Sequence, residues 1–123
     1  VIGIQAERAP AAYLSWRSGG IEESPMKTTA EGLATGMGYE LTQGIIRDLL
    51  DDFVLVSDEE MNHAMVLHFE HTRTLTEHAG AASLAGALKI KERLKSKRVV
   101  LVVSGGNPSM QHIHEALNQS VMI

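Results

Sequence analysis

The chain has 123 residues, enough for one folded domain with an apolar core, and 44% of them are hydrophobic. Eleven basic against 15 acidic residues give a net charge of −4, which argues against a nucleic-acid partner; the one basic cluster is KIKERLKSKR, residues 89–98. There is no cysteine, so disulfide and thiol chemistry are excluded, and no apolar run approaches the roughly 20 residues of a membrane-spanning helix. A cysteine-free chain without a visible signal peptide fits the cytoplasm. It opens at Val1, directly on an apolar run, which suggests a fragment or a processed product.

VIGIQA (1–6) reads as a strand, and Pro10 suits the first turn of a helix continuing to about Ser18. Residues 19–29 carry the Gly, Ser and Pro of a surface loop. AEGLATGMG (30–38) has three glycines and little periodicity, as expected of an ordered loop that lines something. Leu41, Ile45, Ile46, Leu49 and Leu50 recur at helical spacing and predict an amphipathic helix over 40–51. FVLV (53–56) is a second strand. Ser57 followed by Glu60 makes a capping box, and the helix it opens runs from 58 to about 71 with Met61, Ala64, Met65 and Phe69 inward.

AGAASLAGALKIKERL (79–94) predicts a helix whose small residues allow close packing, and RVVLVV (98–103) a third strand. Pro108 then opens a last helix through PSMQHIHEALNQ. Strands separated by helices predict an α/β fold, a single domain over 1–123 with a parallel sheet flanked by helices. Ligands in such sheets bind at the carboxyl ends of the strands, here Ala6-Glu7, Ser57 and Ser104-Gly105-Gly106-Asn107.

Taken singly, the candidate sites are open to two readings. The amides of SGGN before a helix N-terminus could hold an anion, or form only a strand-to-helix turn. It lacks the lysine and length of a Walker loop. His68 and His71 stand i, i+3, a spacing that can hold a metal or simply make a polar helix face. His112 and His114 point to different faces of their helix. Glu77 before His78 could cap the helix at 79.

Read together and in order, VIGIQAERAP, AEGLA, ELTQGIIRDLLDDFVLVSDEEM, TEHAGAASLAGALK and VVLVVSGGN closely resemble the C-terminal half of the large domain of the pyridoxal-phosphate (PLP) dependent threonine and serine dehydratases, a group that includes serine racemase. The resemblance runs from Val1 to about Leu117. It implies part of a tryptophan synthase β-like fold and, in the complete enzyme, α,β-elimination of L-threonine or L-serine to a 2-oxo acid and ammonia. By the same resemblance, Ser104 of the Ser104-Gly105 turn is the partner of the cofactor's pyridine nitrogen, Gly32 lies beside the ring, and Glu77 begins the E-x-A-G-A segment near it. A neutral hydroxyl does not force protonation of that nitrogen as an aspartate would.

Three departures accompany the match. His78 stands where the family has Gly, Pro or Ser. Serine racemase-like members bind a divalent cation through a glutamate, a backbone carbonyl and an aspartate; Glu7 and Ala11 match the first two, whereas Tyr13 replaces the third. The family's cofactor-linking lysine and glycine-rich phosphate loop lie upstream of VIGIQAE, and none of Lys27, Lys89, Lys91, Lys95 and Lys97 sits in the lysine's motif. The chain is therefore expected to be inactive and without stably bound PLP on its own. Its expected partners are the missing N-terminal half or further copies of itself, with a small amino acid as the substrate of the whole. The alternative expectation is a non-enzymatic α/β module for oligomerisation or small-anion binding.

Overall fold

The computed structural model describes residues 1–120, apart from the side chain of Ser120. Two strands, β1 (Ile2–Ala6) and β2 (Asp52–Val56), pair in parallel with Ile2 opposite Asp52 and Ala6 opposite Val56. The crossover between them carries α1 (Ala11–Ser18) and α2 (Glu40–Leu49). After β2 come α3 (Asp58–Leu67), α4 (His78–Lys89) and α5 (Met110–Ser120).

Alternation along the strands sets the layers. Gln5 and Phe53 face α1: the Tyr13 amide donates to Gln5 Oε1 at 2.9 Å, and the rings of Tyr13 and Trp16 pack on Phe53 at 5.8 Å. Ile4 faces the other way and lies on Gly86 of α4, where a Cβ would have no room. The small residues of α4 thus bring the helix onto the sheet. Ala81, Ala82 and Ala85 join Met61, Ala64 and Met65 of α3, Val56 of β2 and Ala116 of α5 in the apolar core.

The capping box is present in full. Glu60 N–H donates to Ser57 Oγ at 3.1 Å and Ser57 N–H to Glu60 Oε2 at 2.8 Å. The 21–38 loop is ordered by bonds within itself, Ser24 N–H to Gly36 O at 2.9 Å and Gly38 N–H to Glu22 O at 3.1 Å, and by bonds to α3. Its Thr28 hydroxyl (2.5 Å) and Thr29 amide (3.3 Å) both donate to Asp58 at the start of α3, and a short 3₁₀ turn, Glu31–Leu33, follows.

Three expectations are corrected, and the amphipathic helix expected over 40–51 forms as α2 over Glu40–Leu49. Residues 98–103 form no strand, although five apolar residues in a row suit one. A strand needs a neighbouring backbone, and the stretch finds none among the described residues; it lies along α4, where the Ser83 hydroxyl donates to Val102 O at 2.8 Å. The helix expected over 58–71 ends at Leu67 and continues as a π-helical turn, His68–Thr72. The wider turn rotates the following side chains. His68 continues the buried stripe of Met61, Ala64 and Met65, whereas Phe69, expected inside, is 53% exposed. The helix expected over 79–94 stops at Lys89, with a 3₁₀ turn over Lys91–Leu94. In α2 the apolar stripe Leu41, Ile45 and Leu49 is exposed, and the buried side chain is Gln43, whose amide donates to Ala12 O at 3.0 Å.

Candidate cofactor site

The SGGN turn is pinned to the start of α4. Glu77, the residue before that helix, donates its amide to Gly105 O at 3.2 Å. Its carboxylate turns back and accepts the amide of Asn107 at 3.1 Å. A Cβ on Gly105 would overlap Glu77 Oε1, and one on Gly106 would come within 2.9 Å of Leu75 O. The same closeness holds on the helix side, where a Cβ on Gly80 would overlap Gly105 O. Gly106 is thus required by the approach of the Leu75 backbone, and Gly105 by the Glu77 side chain folded over it.

The 3₁₀ turn brings Gly32 to this place. A Cβ there would stand 2.9 Å from Ala79 Cβ and 3.8 Å from Glu77 Oε1. Gly32, Glu77 and Gly105, nominated from separate segments, therefore meet around one carboxylate. Ser104 precedes Gly105 with its side chain exposed.

Beside this cluster a cavity of about 120 Å³ opens between residues 29–31, residues 77–79, Asn107, Ser109 and His112. His78 forms its inner wall, 2% exposed, with Nε2 2.8 Å from Asn62 Oδ1. Asn62 in turn donates to Gln119 Oε1 at 2.6 Å. The His78 and His112 rings stand edge to face at 4.8 Å. Burial lowers the His78 pKa below the ordinary histidine value, and His112 adds to the effect; Asp58, Glu115 and Glu77 oppose it. His78 is biased toward its neutral form in a wall that also carries Glu77. In the sequence it is visible only as a departure at one position, and its partners Asn62 and His112 carry no local signal. Of the four nominated cofactor residues, only Glu77 lines this cavity.

The other nominated histidines do not converge. His68 is buried with no partner for Nε2 among the described residues, whereas His71 and His114 are exposed. No group of three or more His, Asp or Glu side chains suited to a metal occurs among the described residues. The Glu7–Ala11–Tyr13 set does not fit a cation. Glu7 is ion-paired with Lys89 at 2.9 Å, Ala11 O accepts the Ser15 hydroxyl at 2.7 Å, and the Tyr13 hydroxyl accepts from Arg17 at 2.9 Å. Burial favours neutral Lys89, but its hydrogen bonds to Glu7 and Glu60 outweigh that and hold its pKa above the ordinary lysine value.

Residues 1–105 match the family model described as "Pyridoxal-phosphate dependent enzyme". The chain belongs to this pyridoxal-phosphate dependent family. It is 37% identical over 123 residues to the L-threonine ammonia-lyase of Geobacter sulfurreducens, covering 99% of this chain and 31% of that one. It is 33% identical over 121 residues to the serine racemase of Schizosaccharomyces pombe, covering 97% and 37%. Among solved structures, the serine racemase from Dictyostelium discoideum superposes with a TM-score of 0.79 at 32% identity, over 89% of this chain and 36% of that one. The processed form of threonine deaminase isoform 2 from Solanum lycopersicum gives 0.87 at 28% identity, over 97% and 36%. The α/β architecture is accordingly part of the tryptophan synthase β-like PLP fold, and the chain spans about a third of the relatives it matches. No helix among the described residues is long and apolar enough to cross a membrane.

The residues present fit this family's cofactor on one side. Gly32 and Gly105 leave a side-chain-free surface around Glu77, and the adjacent Ser104 offers an exposed hydroxyl able to donate or accept.

Proposed function

We propose that this chain supplies the ring-nitrogen wall of a PLP-dependent threonine/serine dehydratase. The observation that carries the reading is the convergence of Gly32, Glu77 and Gly105 next to exposed Ser104. In the complete enzyme, PLP supplies an electron-withdrawing ring that acidifies the α-C–H of the amino acid. Ser104 would donate a hydrogen bond to the ring nitrogen while keeping its proton, so that the nitrogen stays unprotonated and uncharged. Such a ring withdraws electrons less strongly, which suits loss of the β-hydroxyl over reactions that need a long-lived carbanion. Glu77 holds the turn that aims Ser104, through its amide on Gly105 and its carboxylate under Asn107. Gly32 and Gly105 keep side chains out of the space beside the ring.

The substrate of the whole protein is L-threonine or L-serine, and its products are a 2-oxo acid and ammonia. The names of the relatives support this. The lysine and phosphate loop that the reaction requires are outside this chain, which on this reading neither holds PLP stably nor turns over substrate by itself. Its working partner is the segment carrying them or a second copy. The exposed stripe Leu41, Ile45 and Leu49 and the unpaired residues 98–103 support such a partner. A cytoplasmic location is part of this proposal, and a cysteine-free chain is compatible with a reducing compartment.

The test is to express the full-length gene product and record its visible absorbance and 2-oxo acid release from L-threonine and L-serine. A PLP chromophore with release from either supports the reading. A protein that binds no PLP, or binds it and releases neither product, refutes it.

A further inference from the structure

Lys89 closes a junction that the cofactor site does not use. Its ammonium lies 2.9 Å from Glu7 Oε1 and 3.0 Å from Glu60 Oε2, both within strong hydrogen-bonding distance. Three segments meet there. Glu7 follows β1 and is tied by its amide to Val56 O, the last residue of β2, at 2.9 Å. Glu60 stands in the first turn of α3, and the same Oε2 that takes Lys89 also accepts the Ser57 amide. Lys89 is the last residue of α4. One positive charge thus joins the carboxyl ends of both strands to two helices. The three side chains are 35–44% exposed, so solvent ions reach them.

Two carboxylates at a strand end would suit a hard divalent cation, which needs oxygen ligands around it. An ammonium has no lone pair to offer, and it already lies in hydrogen-bond contact with both acids. The remaining oxygens named for such a site are engaged elsewhere, Ala11 O by Ser15 and the Tyr13 hydroxyl by Arg17. We propose that Lys89 is the resident cation of this junction, doing in this chain the structural work of a divalent metal and making it independent of one. The inference goes beyond the dehydratase reading and does not need it, since stability and metal binding report on it without turnover.

The experiment uses the full-length protein as wild type, Glu7→Gln, Lys89→Ala and Lys89→Met, the last keeping most of the aliphatic stem. Manganese binding is followed by electron paramagnetic resonance, and melting is recorded in chelator and in millimolar magnesium or calcium. Wild type should show no saturable manganese site and the same melting midpoint in chelator as in either cation. Lys89→Met should melt several degrees lower in chelator, recover part of that loss in calcium or magnesium, and acquire a manganese site. Saturable manganese binding by wild type that Glu7→Gln abolishes would overturn the proposal. So would a Lys89→Met protein whose melting does not respond to divalent cations. If Lys89→Ala does not fold, the wild-type measurement and Lys89→Met still decide.

Discussion

Replacing Gly80 by alanine adds one methyl group where the third residue of α4 meets the turn at Gly105. That Cβ would overlap the Gly105 carbonyl oxygen and lie 2.9 Å from its carbon and nitrogen. Ordinary contact begins at 3.4 Å, so clearing the carbon and nitrogen alone takes about 0.5 Å, the difference between 3.4 and 2.9 Å, and clearing the nearer carbonyl oxygen takes more. The groups that resist are backbone and cannot rotate away. Overpacking costs about 1–3 kcal/mol. The two hydrogen bonds that link Glu77 to the turn are worth about 0.5–1.5 kcal/mol each. Against this, alanine gains at most about 1 kcal/mol of helix propensity over glycine. The net expectation is a destabilisation of about 3 kcal/mol, within a range of about 1–5 set by those terms. Gly44 in α2 supplies the control, because nothing lies within 4 Å of a Cβ there and the same change should stabilise by up to about 1 kcal/mol. Urea unfolding of the full-length variants measures both, and hydrogen exchange at the amides of Glu77 and Asn107 reports the turn directly. Faster exchange at those two amides in Gly80→Ala alone is expected. A Gly80→Ala protein as stable as Gly44→Ala, with unchanged exchange, would refute the close approach of α4 and the turn.

Ser104→Ala in the full-length enzyme should weaken PLP by the worth of one hydrogen bond, about 0.5–1.5 kcal/mol or roughly two- to tenfold, with folding unchanged. Ser104→Asp should alter the cofactor's absorbance by protonating the ring nitrogen; wild-type spectra and affinity in both variants would leave the turn without that role. His78 has a depressed folded-state pKa, so the unfolded chain takes up its proton first. Its contribution to stability is whole above the unfolded value near 6.5 and is lost as pH falls below it; His78→Gln should flatten that acid slope in denaturation measured across pH. Ser57→Ala removes the acceptor for Glu60 N–H and should cost about 0.5–2 kcal/mol by thermal or urea unfolding.

Local chemistry was legible in the sequence where the signal is local. Ser57 and Glu60 stand three apart and cap their helix as that spacing requires. The strands at 2–6 and 52–56 follow from short apolar runs, and the 30–38 loop from its glycines. Gly32, Glu77 and Gly105 were nominated by resemblance and meet in space, although no spacing rule connects positions 32, 77 and 105. What failed depends on neighbours. Residues 98–103 have the composition of a strand and lack a strand beside them. Phe69 turned outward because a π turn at His68–Thr72 breaks the 3.6-residue period on which its placement rests. Lys89 and Glu7 are 82 positions apart, and only the packing of α4 on the sheet makes them partners.

The unpaired run Val99–Val103 has a consequence for the protein's behaviour in solution. Val100 and Val102 are 89% and 71% exposed, and the five residues carry no charge and no proline. A segment of that kind can stack on its own copy in register, as in a cross-β fibril. Its flanks work against this. Lys95, Lys97 and Arg98 lead into it, and stacking copies would pile those three positive charges on one another. Gly105, Gly106 and Pro108 follow it and give a β ladder little to extend along. The basic cluster that carries no nucleic-acid signal thus has the character of a gatekeeper against self-stacking, and its protection weakens as salt screens the charges.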